Sequence, residues 1–142
     1  MRSLTTTSEC LERFGIRCYR PAQLHAAYGV DQLHTSGIDG RGRTIVIVEP
    51  FGSPTIRADL RTFNRVFGLP DPPTFSIIEP AGPVPPFDPA DPEMLSWAQE
   101  TKLDVQWAHA MAQGADILLV RTPVSETRAC RASLRSSGRR TT

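Results

Sequence analysis

Glu100 and Asp104 lie four residues apart, a spacing that sets two carboxyls on one face of a helix with their Cβ atoms about 5–6 Å apart. Residues 93–112 contain no Gly or Pro and read as a long helix. Placed around that helix, the two acids fall on the side of Trp97, Leu103, Trp107, Ala108 and Met111, and Gln99, Lys102, Gln106 and His109 fall opposite. Acids of this spacing usually line a wet face. Like charges so placed cost about 0.2–0.5 kcal/mol even in water, and an apolar setting adds to the cost. Proton transfer is the chemistry that uses such a pair: one pKa rises, a proton is shared, and one carboxyl serves as general base while the other orients it. The alternative is a buried salt bridge to a cation from a segment that this chain lacks.

The elements around this helix predict how it is held. The run Thr44-Ile-Val-Ile-Val-Glu49 is β-branched and continuously apolar, the pattern of a strand buried on both faces in a parallel sheet. Ser53 then reads as an N-cap and Pro54 as the first residue of a helix running to Phe67, stopped by Gly68 and Pro70. Residues 75–79 form a second strand, 80–92 a proline-rich loop, and 116–120 a third strand beyond the stop at Gly114. Strand, helix, strand, helix, strand predicts a parallel sheet with right-handed crossovers. Upstream, residues 21–30 read as a short helix opened by Pro21, and 37–42 as a glycine-rich turn around Asp39-Gly40. Residues 1–20 show little periodicity.

Composition bounds the rest. The 142 residues amount to one domain at most, with 39% apolar and 22% charged residues, ordinary for a globular chain. No stretch is apolar and long enough to span a membrane, and no apolar run follows Arg2 as a signal peptide requires. Residues 1–120 carry a net charge of −4 and residues 121–142 a net +5. That basic end suits a nucleic-acid arm, but from Arg128 onward Arg and Ser dominate without any apolar period, and an aberrant or disordered tail after a half-built sheet is the preferred expectation. His25, His34 and His109 are too scattered to form a metal site. Cys10 and Cys18 either close a small loop or remain free thiols, and spacing does not decide between them; Cys130 is left over.

Two other chemistries are disfavoured by position. A nucleotide site needs glycines directly after the first strand; the chain has Pro50-Phe-Gly-Ser-Pro there, and its glycines at 37, 40 and 42 precede the strand. Asp88, Asp91 and Glu93 offer oxygen ligands for calcium, but their spacing matches no EF-hand, and Asp91 before Pro92 serves more simply as a helix cap.

Four segments in order carry a resemblance: Pro21-Ala-Gln-Leu-His-Ala-Ala-Tyr-Gly-Val30; Gly40-Arg-Gly-Arg-Thr-Ile-Val-Ile-Val48 with Phe51-Gly-Ser-Pro-Thr-Ile56; Phe67-Gly-Leu-Pro70; and the Glu100-Thr-Lys-Leu-Asp104 helix with the strand after it. Over about residues 18–120 the chain resembles the front part of the catalytic domain of the sedolisin (serine-carboxyl peptidase, kumamolisin-like) family. The resemblance implies an α/β fold with a subtilisin-like parallel sheet and flanking helices, incomplete here, with only its first strands and helices. It implies residues 1–19 as a leader or stub of the activation-domain linker, 20–121 as peptidase domain, and 122–142 as tail. It implies acid-active hydrolysis of protein or peptide substrates by a Ser-Glu-Asp triad, with Glu100 as general base and Asp104 orienting it. It also implies an extracellular location, where a disulfide would form. The family's nucleophile motif, Gly-Thr-Ser, does not occur in the chain, and its distant oxyanion-hole Asp and C-terminal calcium site have no matching positions. This chain is therefore expected to hold no cofactor or metal itself, to bind neither nucleic acid nor membrane, and to be inactive alone. A non-catalytic gene fragment, or a chain completed by a second polypeptide, is the alternative.

Overall fold

The computed structural model describes residues 5–126, and the chain divides into two units, residues 1–39 and 40–142.

In the first unit, α1 spans Thr7–Phe14 and α2 Pro21–Tyr28, followed by a short α3 at Val30–Thr35. α1 forms where little periodicity was visible because its ends are capped. The Thr6 hydroxyl accepts from Glu9 N–H at 3.2 Å and the Glu9 carboxylate accepts from Thr6 N–H, which satisfies orphan donors from both sides. Cys10 and Cys18 are joined by a disulfide. Thr7 Oγ1 donates to Cys18 O at 2.7 Å and accepts from Gln23 Nε2 at 3.1 Å, tying α1 to α2. α2 begins with Pro21 at its first position, as expected.

The second unit follows the expected order: β1 (Thr44–Pro50), α4 (Ile56–Phe67), β2 (Phe75–Ile78), α5 (Pro92–Met111) and β3 (Asp116–Thr122). All pairings are parallel and the strand order is β1-β3-β2. α5 is capped by Asp91, whose Oδ1 accepts from Glu93 N–H at 2.9 Å and Met94 N–H at 3.3 Å. The α4 start differs from expectation: Pro54 and Thr55 form a turn and the helix opens at Ile56, with buried Ser53 before the turn rather than at the cap.

The register sets Ile45 and Ile47 beside Ile117 and Leu119, and these beside Phe75 and Ile77. Ile56 and Leu60 of α4 and Val105 of α5 pack on this one surface to make the core. Two expectations need correction here. First, β1 is not buried on both faces: Val46 is 54% and Val48 60% exposed, and Ile78 of β2 is also exposed. Both helices cover the same side, so the alternate side chains lack a covering layer among the described residues. Second, the crossovers are not both right-handed. The connection through α4 moves two places across the sheet and the one through α5 moves one place back. With both helices on one face, opposite steps require opposite hands, so one crossover departs from the usual rule. Contact between the helices themselves stabilises that choice: Lys102 Nζ lies 3.1 Å from Asp59, and the Phe63 and Trp107 rings meet edge to face.

No helix among the described residues is long and apolar enough to cross a membrane. Of the expected tail, 122–142, Thr122 ends β3, and Ser125 is buried with its hydroxyl donating to Glu93. The remainder of that expectation concerns residues 127–142, outside the described residues.

Candidate active site

α5 buries Met94, Ala98, Thr101, Val105 and His109, and Val105 packs on the sheet core. This is not the face expected. Glu100 is exposed, Asp104 half-buried, Leu103 exposed, and His109, placed on the wet side from sequence, is 0% exposed. The error is one of phase. Apolar residues occur around most of the circumference of α5, so periodicity marks no single stripe. Polar Thr101 and His109 occupy the buried stripe because each has a bond to make there. Thr101 Oγ1 donates to Trp97 O at 2.7 Å and His109 Nε2 lies 2.7 Å from Pro70 O. Burial lowers the His109 pKa below its usual value.

The structure nevertheless brings Glu100 and Asp104 to a site, together with a third acid. Glu49 stands near the carboxyl end of β1, on the covered face with Ile45 and Ile47, and is only 4% exposed. Its carboxyl is hydrogen-bonded to that of Asp104, and Glu100 adds its charge from one turn away. Burial first, then the Asp104 bond and charge, then Glu100, raise the Glu49 pKa to about 8. Burial and these carboxyl neighbours together favour the protonated form of Glu49. The other Glu49 oxygen, Oε2, is buried without a hydrogen-bond partner among the described residues. Glu49, which was not part of the expected pair, is the carboxyl whose pKa this setting raises.

A cation stands next to this cluster and is held elsewhere. Arg121 on β3 is the register partner of Glu49, but its Nη2 donates to Glu79, which follows β2. The carboxyls run from buried Glu49 through half-buried Asp104 to exposed Glu100. Such an arrangement suits proton acceptance at the exposed end, where Glu100 is open to a reacting group. Glu49 escaped the sequence reading, although a single acid closing a β-branched run at the carboxyl end of a parallel strand was a usable signal, since ligand sites of α/β sheets gather there.

The other acids considered do not join the site. Asp91 caps α5, Asp88 Oδ1 accepts from Ala90 N–H at 2.8 Å, and Glu93 receives the Ser125 hydroxyl. Among the described residues no group of three or more His, Cys, Asp or Glu side chains is arranged to hold a metal ion. His25 lies in the other unit, 3.5 Å from Asp31 and edge-on to His34. The chain matches no protein-family model and no curated protein.

Proposed function

We propose that this chain carries the base side of an acid-active serine-type peptidase site of the sedolisin kind, set on a subtilisin-like sheet. Glu100 is the general base and Asp104 holds it. The observation that supports this reading is the grading in exposure of Glu49, Asp104 and Glu100, in which the acid open to solvent accompanies a buried one whose pKa is raised. A Glu base suits acid conditions: its unperturbed pKa of about 4.3 lets it exchange protons where His would stay charged. A serine hydroxyl must come within about 2.6–3.2 Å of Glu100 for attack on a peptide carbonyl. No Gly-Thr-Ser occurs in the chain, so on this reading the nucleophile comes from further polypeptide. The calcium of the family belongs with that further part.

A second reading is supported by the sheet itself: among the described residues nothing covers the apolar face of Val46, Val48 and Ile78. A non-catalytic fragment, or a chain completed by a second polypeptide, would present the same face.

Peptide hydrolysis at pH 3–5 tests the proposal. The 142-residue chain alone should give no turnover, and a form joined to a Gly-Thr-Ser-bearing segment should give turnover that Glu100→Gln abolishes. Full activity in that Glu100→Gln form removes Glu100 from the reaction.

A further inference from the structure

α4 buries Ile56, Leu60 and Asn64 along one stripe, and the residue after each of the first two is an arginine. Arg57 and Arg61 therefore stand four apart on one flank of the helix, a spacing at which like charges disfavour it. The opposite flank is balanced: Asp59 lies 3.1 Å from Lys102 Nζ and accepts from Thr55 Oγ1 at 2.7 Å. Arg57 and Arg61 have no acid within ion-pair distance among the described residues. Both are nonetheless held in place. Arg57 Nη1 donates to Phe75 O at 2.9 Å, with its guanidinium 4.9 Å from the centre of the Phe75 ring. Arg61 Nε donates to Arg57 O at 3.3 Å.

With Leu60, Asp71, Pro72 and Phe75, these two side chains line a cavity of about 200 Å³ between α4, β2 and the segment before β2. We propose that it binds a carboxylate carried on a small apolar body, the carboxylate between Arg57 and Arg61 and the body on Leu60, Pro72 and Phe75. A guanidinium presents parallel N–H donors that match the two oxygens of a carboxylate. Two guanidiniums already placed in one cavity, neither ion-paired, supply that match without first breaking another bridge. Asp71 is the one acid in the lining, so two arginines against one aspartate leave a positive charge in excess. Asp71 is also engaged elsewhere: its Oδ1 accepts from the buried Asn64 Nδ2 at 2.8 Å, and its charge reaches His109. The volume is below the roughly 300–1,000 Å³ of pockets for drug-sized molecules and suits a ligand the size of one amino acid. This site uses none of Glu49, Asp104 or Glu100 and does not depend on the peptidase reading.

The test is an NMR titration of the 142-residue chain at neutral pH and low salt with N-acetyl-phenylalanine, its uncharged amide, acetate and inorganic phosphate. N-acetyl-phenylalanine is ionised there, since an α-carboxyl titrates at about 3.3–3.7. It should give saturating shifts at Leu60 and Phe75 and bind about tenfold or more tightly than its amide, which lacks the charge, and than acetate, which lacks the body. Added salt should weaken it. Arg61→Gln, at an exposed position outside the core, should weaken it by about fivefold or more and leave the unfolding midpoint in place. Absent saturation, equal binding of the amide, phosphate bound as tightly as N-acetyl-phenylalanine, or an unchanged affinity in Arg61→Gln would each overturn the site.

Discussion

Glu49 and Glu79 close the two edge strands at the same end of the sheet, with Arg121 on the central strand between them, and they hold protons in opposite ways. Glu79 keeps its carboxylate below the usual range because the Arg121 guanidinium donates to it, with Val84 N–H as a second donor. Glu49 is pushed above that range, first by burial and then by its carboxyl neighbours. The two side chains have the same chemistry and nearly the same place in the topology. The difference lies in which of them received the one cation and which was covered by α5. Giving Arg121 to Glu79 ties down the start of the proline-rich loop; Glu49, without it, keeps a raised pKa.

The largest effect expected from this contrast is on rate. In a form that turns over peptides, Glu100→Gln should lower kcat by about 10²–10⁴-fold, as loss of a general base does, and Asp104→Asn somewhat less. Groups acting as a unit are not additive, so the double variant should lose little beyond Glu100→Gln. Steady-state kinetics at acid pH measure this, and additive losses would separate the two residues.

Stability should follow pH with a sign set by Glu49. Its folded pKa lies above the unfolded one, so between about pH 4.5 and 8 the folded state keeps a proton that the unfolded state has released. The unfolded state then binds fewer protons, and stability falls as pH rises through that window. Below the window the penalty is absent. Glu49→Gln should flatten this slope and raise stability at pH 7 by on the order of 2–3 kcal/mol. Urea unfolding at pH 4, 6 and 8, followed by Trp97 and Trp107 fluorescence on α5, reads it out. A variant less stable than the parent at pH 7 would mean that Glu49 is ionised and paired. Glu79 contributes with the opposite sign, since its lowered pKa gives stability above the unfolded value that is lost as pH falls.

Reduction of the Cys10–Cys18 bond should cost the first unit about 2–3 kcal/mol through loop entropy, with no effect on the α5 fluorescence transition. A joint transition of both units would show otherwise. A similar or smaller loss, about 1–3 kcal/mol, is expected for Gly52→Ala, which combines an unfavourable φ with a clash against Arg121. Thermal unfolding measures that loss, and an unchanged midpoint would show that the corner can relax.

The sharpest test is also the smallest perturbation. Glu79→Gln frees Arg121 beside its register partner Glu49, and the Glu49 titration, followed by carboxyl ¹³C NMR, should move down toward the ordinary carboxylate range. If it stays in place, burial alone sets Glu49, and the position of Arg121 is incidental to the contrast.

The parallel strands, the α5 cap at Asp91 and the opening of α2 at Pro21 were legible in the sequence. Each depends on local patterns: β-branched runs, a capping acid before proline, proline at a first turn. The pair Glu100 and Asp104 was legible for the same reason, since four residues of helix fix their spacing whatever surrounds them. Three things were decided only by tertiary structure. The buried face of α5 depends on rotation about an axis that a helix with apolar residues around most of its circumference leaves unspecified. The same-side packing of α4 and α5, and with it the open face of Val46 and Val48, depends on where the chain returns across the sheet. The partner of Asp104 lies 55 residues away at Glu49. No local rule brings those two carboxyls together; packing of α5 over β1 does, and by taking Glu49 out of water it determines which acid keeps the proton.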